Sequence, residues 1–484
     1  MKEYADMSSQ EFREYGYKMV DWIASYLENI EEFPALAQIN PGEVKNKFPL
    51  TPPQNPQPFE ELFGEIDKKV MPGMTHWNHP GFMAYFNSSS AGPGILAEFL
   101  SAAFNINGML WKSSPASTEL EEVTMNWFRQ MVGLPEDFWG IIYDGASAST
   151  MHGIIAAREQ ANKFNLRQKG LGGWNNSPRF KIYASEFAHN SVDKAVITLG
   201  FGLESLTKIG MDEQFRMNVE ELKKCIAKDK AEGKIPMCIV ATIGTTSVTS
   251  IDPIEEIAEI CKKENIWLHI DAAHGGNSAV VPEKRHLTNG WEMADSIVIN
   301  PQKWMFMPID ISIFLTRKRD VLRRGISLSA EYLKTDQDEE VKNQMDYSLQ
   351  LGRKFRSLKV WFTIHYYGVE GIQNIIRNHF KLAEEFKNIL LSNKSFELVA
   401  PLTFSTICFR AKPEGIEEKY LNEFNKKLMD AVNETGKIFV SHTVAAGKFT
   451  IRVVISGLRT NSNTIKTATD LFNKKLNELL RDKK

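Results

Sequence analysis

Residues 86–360 predict an α/β fold, a largely parallel sheet covered by helices. Two observations carry this. Short apolar runs recur at the length of buried strands: KIYAS (181–185), CIVATI (238–243), IWLHI (266–270) and SIVI (296–299). Helical patterns separate them, among them the amphipathic IEEIAEICKKE (254–264). Buried strands alternating with helices make a parallel sheet with both faces covered. In such sheets a ligand sits beyond the carboxyl ends of the strands. That rule marks Asp271, just after IWLHI, and the turn 300–303, just after SIVI.

The segments on either side have a different character. Residues 1–85 open with a helical apolar pattern, Phe12, Tyr15, Met19, Val20, Ile23, Tyr26 and Leu27, after a Ser-Ser-Gln-Glu start of the N-capping kind. The proline-rich LTPPQNPQPF (50–59) follows and reads as an extended connector. A helix and a connector cannot close a core, so this region is expected to pack on something else, such as a second subunit. Residues 361–484 mix helices with strands such as TICFR (406–410) and FTIRVVI (449–455), a smaller α+β domain. The chain shows neither an internal repeat nor a low-complexity tract.

Composition narrows the class. With 58 Lys+Arg against 60 Asp+Glu, no nucleic-acid or anionic-membrane partner is expected. No run reaches the roughly 18 apolar residues of a membrane span, and the start lacks the apolar core of a signal peptide. Cys225, Cys238, Cys261 and Cys408 form no C-x-x-C pair, so neither a zinc site nor a disulfide framework is indicated. A cytoplasmic location and no metal are the expectations.

Four segments carry candidate chemistry. Lys303, in INPQKW (299–304), follows a buried-type strand and is flanked by Pro301 and Trp304. An apolar setting depresses a lysine pKa and makes the amine a Schiff-base nucleophile. Asp271 opens DAAHGG, where Ala272, Ala273, Gly275 and Gly276 are small enough for a flat ring to lie against the backbone. A carboxylate there suits a protonated pyridine nitrogen. YDGASASTMHGIIAARE (143–159) is a small-residue turn opening a helix, whose free N–H groups suit a phosphate. SEFAHNSVDKA (185–195) sets His189 between a strand and a helix, placed for stacking on an aromatic ring. Taken singly, each is also an ordinary surface lysine, turn aspartate, α/β turn or structural histidine.

Taken together, DAAHGG followed by NPQKW, with SEFAHNSVDKA upstream, resembles the group II decarboxylases that depend on pyridoxal 5'-phosphate (PLP). The likeness is greatest to the aromatic-L-amino-acid branch. It extends over PGMTHWNHPGFMAYF (72–86), MLWKSSPASTELE (109–121), VATIGTTSVTSIDPI (240–254) and LGRKFRSLKVWF (351–362). The resemblance implies the aspartate-aminotransferase-type fold (PLP fold type I), with an N-terminal helical dimerisation segment (1–85), a large cofactor domain (86–360) and a small C-terminal domain (361–484). It implies a homodimer with shared active sites. Lys303 would bind the cofactor covalently, Asp271 would pair with the ring nitrogen and His189 would stack on the ring. Ala146, Ser147 and Asn300 would contact the phosphate, while Thr246 and Ala273 would line the cofactor pocket. Trp77, Tyr85 and Phe86 would shape the substrate side, and Arg452 would fill a basic position near the site. Gly352 matches a position where the aromatic branch has Gly and the histidine-specific branch tends to Ser. Tyr332, in the charged stretch 326–348, matches a mobile lid and would donate a proton to the substrate Cα. Phe at that position goes with aldehyde formation in relatives.

Two positions depart from the pattern. Gln302 stands where relatives have His before the lysine, and its amide still suits a phosphate. Asn87 stands where animal-type relatives have Pro. With Asn107 it either makes the substrate pocket more polar or is a loop residue without ligand contact. The rival readings are decarboxylation of histidine or glutamate, oxidative conversion to an aldehyde, a PLP protein without catalysis, and a nucleotide-binding α/β protein. The last is disfavoured by the lack of a G-x-G-x-x-G turn after an early strand.

Overall fold

The structure is a computed structural model describing residues 6–173, 175–328 and 340–481. Its strands are β1 (Phe82–Met83), β2 (Trp139–Tyr143), β3 (Phe180–Ser185), β4 (Leu206–Ile209), β5 (Ile235–Thr242), β6 (Trp267–Asp271), β7 (Ser296–Ile299), β8 (Ser312–Thr316), β9 (Phe396–Leu398), β10 (Thr406–Ala411), β11 (Phe439–Ala445) and β12 (Lys448–Val454). Seven form one sheet in the order β2-β8-β7-β6-β5-β3-β4. All run the same way except β8, which is antiparallel to both of its neighbours.

Strand alternation gives this sheet two cores. Ile141, Tyr143, Ile182, Ala184, Val240 and Phe314 pack on one side, together with the helices Ala146–Gln160, Ser191–Thr198 and Arg319–Ile326. Ile142, Tyr183, Ile239, Ala241, Ile313 and Leu315 pack on the other, against helices that include Pro115–Met131, Val219–Ala231 and Ile254–Glu264. Apolar side chains on both faces explain why these strands read as continuous hydrophobic runs. The expected α/β architecture is present, and each strand named from the sequence begins or ends within three residues of its expected place.

A second sheet, β1-β11-β12-β10-β9, is antiparallel apart from β1, which pairs parallel to β11 with Phe82 opposite Phe439. Its core holds Phe386, Phe409, Phe424, Leu428, Ile451 and Phe472. The helix Ser357–Leu391 runs from the first core to the second and breaks at Gly368, whose φ of 64° favours glycine. The expected domain boundary at 360/361 therefore falls inside a helix.

The N-terminal helix Ser9–Glu28 starts with a capping box: the Ser8 hydroxyl accepts from the Glu11 N–H, and the Glu11 carboxylate accepts from the Ser8 N–H. None of its residues is buried within the chain, and Phe12, Tyr17 and Val20 are exposed. Among the described residues no helix is long and apolar enough to cross a membrane.

The stretch 326–348 expected to be a loosely anchored lid is tied down at its far end. Asp346 accepts from the Ser327 hydroxyl at 2.8 Å and from Arg323 at 3.2 Å. Met345 N donates to Met109 O at 3.0 Å, and the Tyr143 hydroxyl donates to Tyr347 O. Composition suggested too few anchors because these are polar side chains and backbone groups. Tyr332 lies outside the described residues.

Candidate active site

The candidate residues follow five strands that run in one direction, so they gather at one edge of the sheet. β2 leads through Asp144 and Gly145 into the helix Ala146–Gln160, whose first turn carries Ala146 and Ser147. β3 leads to His189, β5 to Thr246, β6 ends on Asp271, and β7 leads to Asn300, Gln302 and Lys303.

Lys303 is at the centre. Burial lowers its pKa, the Asp271 carboxylate opposes that shift, and the Arg452 guanidinium adds to it. No hydrogen bond or ion pair among the described residues engages its amine, which lies 4.9 Å from the centre of the Phe86 ring. Asp271 is buried and accepts one hydrogen bond, from Ala273 N to Oδ1 at 3.1 Å. His189 is held below its ordinary pKa by burial, with Asp271 opposing and Lys303 reinforcing. Its Nδ1 accepts from Ser191 N at 3.1 Å, so the neutral ring carries its proton on Nε2. These three groups interact electrostatically with one another.

The two key turns are fastened together. Asn300 N donates to Ala273 O at 3.0 Å, and the Asn277 amide donates to Ala273 O, His274 O and Asn300 O. Asn277 was not anticipated from the sequence, although it lies three residues beyond DAAH. Gly275 and Gly276 are small for backbone packing and not to seat a ring. A Cβ on Gly275 would come within 2.5 Å of Ile243 O, and one on Gly276 within 2.9 Å of the Ala272 Cβ. Ala272 is wholly buried in the core beneath them.

Arg452, on β12, reaches the site from the second sheet. Its Nε donates to Ser247 O at 2.7 Å and its Nη1 to Ser441 Oγ at 3.0 Å. Its Nη2 is buried without a partner, and its guanidinium carbon lies 5.4 Å from the Phe86 ring centre. Thr246 and Ser147 are exposed. Trp77 stacks on Phe82 at 4.3 Å and lies 6.1 Å from Tyr85, and Tyr85 meets Phe439 edge-on. Of these three aromatic candidates only Phe86 lies beneath the Lys303 amine.

The departures resolve physically. Asn87 is fully buried, donates to Phe82 O at 3.0 Å and accepts from the Ser89 hydroxyl. Both ends of its amide are used within its loop, so it adds no polarity to a pocket. Asn107 accepts from Arg353 N at 3.0 Å and so fastens the turn containing Gly352. The Gln302 Oε1 accepts from Ile311 N at 2.6 Å, which leaves its amide N–H groups as donors.

The residues fit PLP. An unpaired amine can meet a carbonyl, and a buried carboxylate with a free oxygen can meet a pyridinium. Arg452 Nη2, Asn300 Oδ1 and Asn277 Oδ1 are buried without partners among the described residues, which is unusual unless a ligand completes them. Among the described residues no cluster of metal-binding side chains occurs.

Comparison with known proteins places this site in a family. Residues 41–412 match the pyridoxal-dependent decarboxylase conserved domain. Tryptophan decarboxylase 2 of Oryza sativa subsp. japonica is 38% identical, over 98% of this chain and 96% of its own length. Phenylacetaldehyde synthase of Arabidopsis thaliana is 36% identical, over 98% and 97%. The crystal structure of Oryza sativa TDC with PLP and tryptamine superposes with a TM-score of 0.94 at 30% identity, covering 99% of this chain and all of that one. The chain belongs to the pyridoxal-dependent decarboxylase family, and its cofactor is PLP.

Proposed function

We propose that this protein decarboxylates an aromatic L-amino acid (Dopa, tyrosine, phenylalanine, tryptophan or 5-hydroxytryptophan) to the corresponding arylalkylamine and CO2, with Lys303 as the cofactor lysine. The observation that carries the reading is Lys303 itself: an unpaired amine with a lowered pKa, beside Asp271 and His189 at the carboxyl edge of the sheet. The aromatic class is supported by relatives named for tryptophan and for phenylacetaldehyde, and by aromatic side chains at Trp77, Tyr85 and Phe86.

PLP, when bound, supplies a ring that takes up the electron pair left behind as the substrate carboxylate departs as CO2. Lys303 contributes the nucleophilic amine, whose pKa burial lowers. Asp271 holds positive charge at the ring nitrogen through its free carboxylate oxygen. His189 presents a flat, neutral face, with its Nδ1 occupied by Ser191 N. Ser147, the N–H groups of its helix turn, and Asn300 hold the phosphate. Tyr332 delivers a proton to the substrate Cα.

A second reading is oxidative conversion to an aldehyde, favoured by the match to phenylacetaldehyde synthase. Tyr332 supports the amine, because in relatives Phe at that position goes with aldehyde formation. The decisive assay measures CO2, amine and aldehyde from the five aromatic substrates, histidine and glutamate. Lys303→Ala loses the visible absorbance of lysine-bound cofactor and several orders of magnitude in turnover. Tyr332→Phe still releases CO2 but consumes O2 and water and yields aldehyde, ammonia and hydrogen peroxide. An unchanged spectrum in the first variant, or unchanged amine yield in the second, removes that residue from its role.

A homodimer with shared sites is the assembly we propose. Phe12, Tyr17 and Val20 on the first helix, with Leu96, Phe99 and Phe104 on the helix Gly92–Phe104, expose apolar surface suited to a second copy. Four unpaired cysteines support a reducing, cytoplasmic setting.

A further inference from the structure

His274, the fourth residue of DAAHGG, is almost completely buried, and neither ring nitrogen has a hydrogen-bond partner among the described residues. It sits in a stack of three rings. Its imidazole lies 4.0 Å from the Phe86 ring at 15°, and 4.8 Å from the Trp304 ring at 4°. The stack is pinned at its far end. Trp304 Nε1 donates to His379 Nδ1 at 3.0 Å, and His379 Nε2 donates to Gly457 O at 3.1 Å. Its near end is the Phe86 ring, within 4.9 Å of the Lys303 amine and 5.4 Å of the Arg452 guanidinium.

A lysine amine on a flexible stem is normally held by hydrogen bonds or a counter-ion. Lys303 has neither among the described residues, and the ring of Phe86 is what it rests near. A ring face attracts a cation and favours the protonated state of the nitrogen beside it. We propose that Phe86 is the positioning residue of Lys303, and that the His274–Trp304–His379 chain holds Phe86 in place. The inference rests on Lys303 being the cofactor lysine. His274 serves as an uncharged spacer. Burial keeps it neutral, and the nearby cations Lys303 and Arg452 reinforce that. Burial, then Asp271 at the end of β6 and Arg452 on β12, set the proton affinity at Lys303, which also faces the Phe86 ring, His189 after β3 and His274 after β6.

The test is a pH titration of the visible band of the purified holoenzyme, with thermal melting alongside. Phe86→Leu lowers the midpoint of the band by about half a unit to one unit, because the cation loses its ring. Phe86→Tyr keeps the wild-type midpoint. His274→Ala frees Phe86 and moves the midpoint in the same direction, whereas His274→Phe rebuilds the stack and restores it. Lys303→Ala separates the two claims: a band that persists there refutes the cofactor lysine itself. If the band is lost in Lys303→Ala but its midpoint is unmoved in Phe86→Leu, the positioning role is overturned and the stack is merely structural. Should Phe86→Leu fail to fold, the His274→Ala and His274→Phe pair decides alone, and equal midpoints in those two variants overturn the proposal.

Discussion

Gly352 is a position where an added side chain would leave the fold untouched, which makes the proposed specificity role testable. Its neighbour Arg353 is buried and pairs with Glu121 at 2.9 Å, while also donating to Ile142 O at 2.9 Å. Breaking such a buried pair would be costly, so the turn is fixed. Gly352 itself is exposed within the chain, and a Cβ there would find only the Asn107 amide nitrogen, at 4.0 Å. A serine therefore fits the protein, and its effect falls on whatever occupies the space beyond. Gly352→Ser is expected to leave thermal stability within about 0.5 kcal/mol of wild type. It should cut kcat/KM for the bulkiest aromatic substrate about tenfold relative to the smallest. Equal losses on every substrate would show that Gly352 does not line the substrate pocket.

At the scale of elements, the helix Ala146–Gln160 lies close on the sheet. Gly153 permits this. A Cβ there would fall 2.7 Å from the Nδ1 of His269, whose ring hydrogen-bonds Ser296 Oγ at 2.8 Å and cannot easily yield. Gly153→Ala would gain up to about 1 kcal/mol in helix propensity and lose roughly 1–3 kcal/mol to overpacking. The expected net result is destabilisation in urea unfolding, with weaker retention of the cofactor if the first turn of this helix holds its phosphate as proposed. A more stable Gly153→Ala would mean that the helix does not need this close approach.

For the whole molecule, buried histidines govern the response to acid. Burial lowers the pKa of His79, His152, His269 and His379 to about 4 in each case. In the unfolded chain a histidine titrates near 6.5. Between the two values the unfolded state binds the extra proton, so the contribution of these histidines is present above pH 6.5 and is lost as pH falls toward 4. The shift corresponds to up to roughly 3 kcal/mol per histidine. Asp252 works in the opposite sense, since burial raises its pKa to about 6 and its contribution falls as pH rises to that value. Four groups against one give acid destabilisation. The melting temperature should drop by several degrees between pH 7.5 and pH 5, and a flat profile would contradict the buried neutral state of these rings.

Much of this molecule was legible from the sequence because its strands are buried on both faces. Continuous apolar runs fixed β3, β5, β6 and β7 to within a few residues, and the carboxyl-end rule then singled out Asp271 and Lys303. What the tertiary structure decided was which small and polar residues work for the fold and which for the site. Gly275 and Gly276 looked like a seat for a ring, yet backbone and side-chain atoms already fill the space beside them. Asn87 could be read as a pocket residue or as a loop residue, and its amide is satisfied at both ends inside its own loop. His274 and Asn277 gave no signal, because a stack or a cross-turn hydrogen bond joins residues far apart in the chain and leaves no periodicity. Periodicity records which way a side chain faces relative to its own element, and only packing between elements determines what it meets there.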